Sequence, residues 1–215
     1  MSVVFGTLGY RPQSLIPTIR ATGDVEQVIF YYGGDKRAAE AKDRVLDYCK
    51  KMKIPAKDVE LPNVFDLLGI AKIIKADLRK CKADGKKIAI FNIAGGTRLT
   101  SSGALLACMI EGVPTVYVRD DTYEEFTLPL LEIKYEEILS DKEKEILGIV
   151  LENQQKGKQL TGVELAKLLK VKKATVNYHV HRLIEKGAVE LTPHGDDSRK
   201  KLIKAQPAIE LLFGD

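Results

Sequence analysis

The chain has 215 residues, 34 of them basic and 30 acidic, and is 45% hydrophobic and 30% charged. That length holds one large domain or two small ones, and the composition is that of a chain that folds and stays in solution. No apolar run approaches the roughly 18 residues of a membrane helix, and a net charge of +4 is too small to argue for nucleic acid from the total alone.

The opening MSVVFGTLGY lacks a positive segment followed by an apolar core and a cleavage site, so no secretory leader is expected. Residues 2–9 read as a short buried strand and a turn, and 17–21 as a short helix. EQVIFYYGGD gives a second strand that stops at Gly33 and Gly34. Residues 36–52 are rich in Ala, Lys, Arg and Glu, with Val45 and Leu46 on one face of a helix. A short strand over 57–61 precedes Pro62. Over 65–82, Leu67, Leu68, Ile70, Ala71, Ile74 and Leu78 recur at helical spacing. Residues 88–93 form a continuous apolar strand, as in the interior of a parallel sheet. Ala94, Gly95 and Gly96 turn the chain into a helix of small residues starting at Thr97, and 115–118 form another strand. This alternation predicts an α/β domain, a doubly wound parallel sheet with helices on both faces. The cysteines, Cys49, Cys81 and Cys108, are scattered, which fits reduced thiols in a cytoplasm and neither a disulfide framework nor a zinc site.

In such sheets ligands bind beyond the carboxyl ends of the strands. The glycine-bearing loops 6–10 and 95–98 face one crevice if the first and fourth strands are neighbours. Gly95 and Gly96 would let the backbone approach a ligand closely. The N–H groups of Thr97 and Arg98 would open a helix where phosphate is favoured, with the Arg98 guanidinium as a bidentate grip and the Thr97 hydroxyl as a further donor. A Gly-Gly turn between strand and helix is also common without any ligand. Neither GxGxxG after the first strand nor GxxxxGK[ST] is present, which weakens a dinucleotide reading and leaves a P-loop unsupported. Asp35 reads as a solvated turn acid.

The last 75 or so residues are of another kind. Ser140 to Glu143 fits a capping box and opens a helix with Ile146, Leu147, Val150 and Leu151 on one face. Thr161 to Glu164 is a second capping box, opening ELAKLLK. A third helix, KATVNYHVHRLIEKG, closes at Gly187. VELT and KLIKA flank the polar PHGDDSR as a β-hairpin, and AIELLF is a short final helix. Three helices and a hairpin are the order of a winged helix-turn-helix. On the third helix Val176, Val180, Leu183 and Ile184 share one side, while Thr175, Tyr178, His181 and Arg182 share the other. From Lys167 to Lys204 there are ten basic and four acidic residues, a surplus of six, while Lys134 to Glu164 has five and seven. The positive charge therefore collects where DNA phosphates would lie. The expected DNA-facing residues are Lys172, Lys173, Thr175, Asn177, Tyr178, His181 and Arg182 on the helix, and His194, Arg199 and Lys200 in the wing. His179 and His181, two apart, do not face each other and make no metal pair. The alternative is a helical interaction domain whose charges are merely solvated.

Together the halves resemble a specific family. GTLGYRP at 6–12 and NIAGGTRLTSSGALLA at 92–107 resemble a CARF domain, the CRISPR-associated Rossmann-like fold. ATVNYHVHRLIEKGAVEL at 174–191 resembles the MarR-type winged helix joined to CARF in archaeal CRISPR-associated transcription regulators. The resemblance implies a CARF domain over 1–133 and a linker and winged helix over 134–215. It implies homodimers that bind a cyclic oligoadenylate, most often cyclic tetra-adenylate, across the two-fold axis, and that bind double-stranded promoter DNA. A ring of four identical nucleotides has a two-fold axis of its own, so a dimer can hold it with the same residues twice. By the motif match, Thr7, Leu8, Gly9 and Tyr10 would line one loop, and Asn92, Gly95, Gly96, Thr97 and Arg98 the other. Some relatives that cleave the ring have a lysine after GGT and a serine in the first loop; here Arg98 and Thr7 stand there. Arginine is a poor proton carrier, and no histidine lies in the first 133 residues. Sensing without efficient turnover is expected, with no catalytic residue, cofactor or metal, in a cytoplasmic protein. A ring nuclease and a sensor of another nucleotide stay open as alternatives. The segment KYEEIL at 134–139 lacks Gly, Pro and Ser and is expected to be a helical or packed connection.

Overall fold

Strand β1 (Ser2–Leu8) is buried along its whole length, because elements cover both faces of the sheet it centres. The computed structural model describes residues 2–128, 138–194 and 197–213, without the side chains of 194 and 197–199. The chain divides into two units, Met1–Lys134 and Tyr135–Asp215.

In the first unit β1 is joined by β2 (Val25–Gly33), β3 (Ala56–Leu61), β4 (Ile88–Asn92), β5 (Thr115–Val118) and β6 (Glu125–Thr127). The strand order is β3-β2-β1-β4-β5-β6. The first five strands run parallel, and β6 returns antiparallel on the edge. The chain order reverses between β1 and β4, which makes the loops after these strands neighbours at one end of the sheet. The helices are α1 (Ile16–Ala21), α2 (Lys36–Lys51), α3 (Leu67–Ala83) and α4 (Arg98–Glu111), with a 3-10 turn at Pro12–Ser14.

Two cores fill the two faces. On one face Ile70, Ile74 and Leu78 of α3 and Ala104, Ala107 and Cys108 of α4 pack over Val3, Phe5, Tyr31 and Phe91. Phe91 stacks on Phe5 and Tyr31 with centroids 5.9 and 6.1 Å apart. The Tyr31 hydroxyl donates to Asp77 Oδ2 at 2.9 Å. Burial, and then the Asp77 charge, raise its pKa well above the usual phenol value. On the other face Ala38, Ala41, Val45 and Cys49 of α2, spaced as one helical stripe, meet Val4, Leu8, Val28 and Phe30. All three cysteines are buried and unpaired. Burial pushes the Cys49 thiol up to about 11 and the Cys108 thiol to about 12, which leaves almost no reactive thiolate.

The second unit has α5 (Asp141–Gln155), β7 (Leu160–Thr161), α6 (Gly162–Leu168), α7 (Lys173–Glu185), β8 (Val189–His194), β9 (Asp197–Ala205) and α8 (Ile209–Phe213). Both capping boxes form, Ser140 with Glu143 and Thr161 with Glu164. Ile146, Leu147 and Val150 of α5, Leu165 of α6, and Val176, Val180 and Leu183 of α7 share one core with Ile203. The hairpin β8–β9 gains β7 as a third strand, in the order β7-β9-β8. The connection expected at 134–139 lies, through 137, outside the described residues. No helix among the described residues is long and apolar enough to cross a membrane.

Candidate functional site

The parallel strands of the first unit end at a cleft of about 590 Å³. Leu8, Gly9 and Tyr10 after β1, Gly33, Gly34 and Asp35 after β2, and Gly96, Thr97 and Thr100 at the start of α4 line it. The turn after β3, from Pro62 to Phe65, forms its remaining wall. Asp35 caps α2, its Oδ1 accepting from the N–H groups of Arg37 and Ala38 at 3.0 and 3.2 Å. Thr97 caps α4, its Oγ1 accepting from the Thr100 N–H at 3.1 Å. The same Oγ1 donates to the Val64 carbonyl at 2.9 Å, so its hydrogen already has an acceptor and it is not the free ligand donor that the sequence suggested.

Of the nine residues expected around a ligand, Leu8, Gly9, Tyr10, Gly96 and Thr97 line the cleft. Thr7 does not; it is fully buried, and its hydroxyl has no partner among the described groups. The pleat of β1 sends it to the side of Val3 and Phe5, away from solvent. Asn92 is also fully buried. Its Nδ2 donates to the Ser14 carbonyl and to Thr18 Oγ1, both at 2.7 Å, and its Oδ1 accepts from the Ala94 N–H at 2.8 Å. Asn92 thus joins β4 to the start of α1 and holds the turn after β4. Asn92→Ala is expected to cost about 2–3 kcal/mol, because several buried polar groups lose their partner; denaturant unfolding measures it. Gly95 closely approaches the first loop: a Cβ there would meet backbone atoms of Thr7, Leu8 and Gly9. Arg98 is exposed at the first position of α4 and is not among the cleft-lining residues.

The cleft reaches further toward β2 and β3 than the sequence reading proposed. Asp35, Asn63 and Phe65 line it, and Arg37 stands over the ring of Tyr10 at 4.3 Å. The missed signal was topological. In a parallel sheet every strand has its carboxyl end at the same edge, so the loops after the second and third strands belong there equally.

In the second unit α7 buries Val176, Val180 and Leu183, while Lys172, Lys173, Thr175, Asn177, Tyr178 and His181 are exposed. A groove of about 630 Å³ runs between α7 and the β8–β9 hairpin, where Lys173, Asn177 and His181 meet Lys200 and Lys201. The side chains of His194 and Arg199 lie outside the described residues. His179 is half-buried, edge-on to Tyr178. Among the described residues no group of three His, Cys, Asp or Glu side chains could hold a metal.

Arg182 is tied more closely to its own domain than expected. Its guanidinium lies 3.4 Å from Oε1 of Glu143 and 5.9 Å from the Tyr178 ring centroid. Glu143 is fully buried. Its Oε2 accepts from Lys186 Nζ at 2.8 Å and from the Ser140 N–H at 2.7 Å. Burial pushes this carboxyl up, but the hydrogen bonds from Lys186 and Ser140 outweigh it and hold the pKa at about 2. Oε1 makes no hydrogen bond, yet the Arg182 contact answers its charge, since an ion pair tolerates angles that a hydrogen bond does not. Sequence showed Glu143 only as a capping residue; its second role needs α7 folded over α5.

Residues 139–200 match the MarR family. The second unit therefore carries a MarR-family winged-helix domain. Solved structures similar to this chain include a mutant MepR of S. aureus, 26% identical over 36% of this chain and 55% of that one, with a TM-score of 0.33. A mutant MarR from E. coli is 27% identical over 34% and 52%, with a TM-score of 0.30. An S. aureus MepR–DNA complex is 26% identical over 36% and 55%, with a TM-score of 0.32. The chain thus spans about half the length of these proteins. No curated protein matches the sequence. The MarR match lies within the second unit.

Proposed function

We propose that the protein is a dimeric transcription regulator whose MarR-type domain binds double-stranded DNA and whose first unit senses a nucleotide ligand. The observation that carries this is the outer face of α7. It is polar, aromatic and basic, it lies beside a lysine-bearing hairpin, and it belongs to a domain that matches the MarR family. An α-helix presenting such a face fits the major groove, where Asn177 and His181 would meet base edges and Lys172 and Lys173 phosphates. Affinity for duplex DNA is expected to fall steeply with salt. Lys173→Ala is expected to weaken binding to all sequences alike and to reduce the slope of log K against log salt by about 1. Fluorescence anisotropy with duplexes at several salt concentrations measures both; binding that ignores salt leaves only an interaction module.

For the first unit we propose a Rossmann-like CARF domain that binds a cyclic oligoadenylate, cyclic tetra-adenylate first, and controls CRISPR-associated genes. The motifs at 6–12 and 92–107, and a cleft at the switch between β1 and β4, support it. Calorimetric titration with cyclic tetra-adenylate, with its linear form, the six-membered ring and NAD as controls, is expected to give ring-selective binding at one ligand per two chains. Linear adenylate products released during the titration would identify a ring nuclease instead. The regulation is allosteric if ligand and DNA change each other's affinity by the same factor.

A further inference from the structure

Lys186 ends α7, and its ammonium is turned back toward the domain. It donates to the Ile138 carbonyl oxygen at 2.9 Å and to Glu143 Oε2 at 2.8 Å. Ile138 lies near the start of the second unit, so Lys186 grips the chain where it arrives from the first. Tyr178, Arg182 and Lys186 follow one another at four-residue spacing and form one row along α7. Arg182 is the middle member. Its guanidinium lies 3.4 Å from Glu143 Oε1, and its Nη1 donates to the Tyr178 hydroxyl at 3.4 Å. We propose that this row is a positioning device for DNA recognition: Lys186 and Arg182 set the Tyr178 face of α7 according to where residues 138–140 lie. The arriving chain then governs DNA affinity without touching DNA. The proposal rests on the reading of α7 as a DNA-binding helix, and adds the point at which the rest of the chain acts on it.

Three observations support it. First, the row joins two places with different tasks. Tyr178 is 58% exposed on the outer face of α7. Lys186 lies two helical turns away, about 12 Å along the axis, and its charge is spent on protein acceptors, not offered to a phosphate. Second, the hub between them is a fixed charge. Glu143 is fully buried, and its pKa of about 2 keeps it anionic wherever DNA is bound. Each of its oxygens faces a different cation of the row, Oε2 Lys186 and Oε1 Arg182. A buried carboxylate that shifts takes its cations with it, because leaving it unpaired is costly. Third, the arriving segment is held by these same groups. Leu139 is buried in the core, while Ile138 and Ser140 on either side are exposed. Their main-chain atoms are secured by the row and its hub: the Ile138 carbonyl by Lys186, the Ser140 N–H by Glu143 Oε2 at 2.7 Å. A displacement of 138–140 is therefore felt by both side chains.

The test uses the full chain and a duplex that the wild-type protein selects from a random-sequence pool, at a temperature well below every thermal midpoint. Lys186→Met keeps the aliphatic stem and loses the charge. It is expected to weaken binding by about tenfold with the slope of log K against log salt unchanged, because no phosphate contact is lost. Lys186→Arg keeps charge and donors and is expected to bind as wild type does. Ser140→Ala removes only a cap and leaves every charge in place; it is expected to weaken binding in the same direction, by about threefold. Coupling is reciprocal, so the duplex is expected to slow hydrogen exchange at the Ser140 amide in wild type and in Lys186→Arg, and not in Lys186→Met. Unchanged affinity in Lys186→Met or, should that variant not fold, in Ser140→Ala leaves Lys186 a purely structural residue and overturns the proposal. A salt slope reduced by about 1 makes Lys186 a phosphate contact, and protection of Ser140 that survives in Lys186→Met makes it independent of the row; either overturns the proposal and leaves DNA binding standing. A pool that yields no duplex overturns the DNA-binding reading and the row with it.

Discussion

Glu143→Gln is expected to destabilise the MarR-type domain by roughly 3 kcal/mol at neutral pH and to flatten its response to acid. The carboxyl is fully buried between the start of α5 and the end of α7, and Lys186 and Arg182 answer its charge. Glutamine keeps the shape but leaves two cations without their anion, and an ion pair broken on one side costs more than the pair contributed. The sign of the pH effect follows from the depressed pKa. Glu143 titrates at about 2 in the folded domain and at an ordinary carboxyl value near 4.5 when unfolded. Its contribution is therefore fully present above the unfolded value and is lost as pH falls from there through about 2. The glutamine variant lacks that part of the acid transition. Denaturant unfolding followed by circular dichroism at pH 7 and pH 3 separates the two proteins. A difference below about 1 kcal/mol at pH 7 would mean that water serves Lys186 and Arg182 as well as the carboxylate does.

The same network changes what is expected of Arg182. On the helical wheel it belongs to the exposed face, and the sequence placed it against DNA. In the fold it braces Tyr178 and Glu143. Arg182→Ala therefore removes a support of α7 together with any phosphate contact. Its effect on DNA binding is expected to come with a lower melting temperature, whereas that of Lys173→Ala is not.

Gly95→Ala carries the largest expected effect in the first unit, about 3 kcal/mol or more by denaturant unfolding. A methyl group there would overlap the Thr7 carbonyl oxygen and fall 2.7 Å from both the Gly9 nitrogen and the Leu8 Cα. These are backbone atoms at the end of β1, and no rotamer change relieves the contact. The loops after β1 and β4 would have to part, and Leu8 and Gly9, which line the cleft, would move with them. Ligand binding is expected to fall with stability. Gly23→Ala is the control: its Cβ would meet nothing within 4 Å, so a change within about 0.5 kcal/mol is expected. A small effect at Gly95 would show that the two loops separate easily.

Several features of this protein are written in the sequence because their causes are local. The helical stripes of α3 and α7, both capping boxes, the apolar run of β4 and the Thr97 start of α4 each depend on residues within a few positions of one another. The outward face of α7 follows from its inward one. The edge strand β6 and the two-residue β7 carry no signal in the sequence, because EFT and LT are too short for an apolar alternation; they are strands only because β5 and β9 lie beside them. Asn92 and Thr7 could be named as loop residues but not placed, since the pleat and the packing of α1 decide whether such a side chain meets solvent or protein. The parallel order β3-β2-β1-β4 brings the turns around Asp35 and Phe65 to the cleft, and no spacing along the chain encodes that order. Glu143 shows the division most plainly. Its bond to Ser140 spans three residues and is legible as a motif, while its bond to Lys186 spans 43 and exists only once α7 has folded over α5.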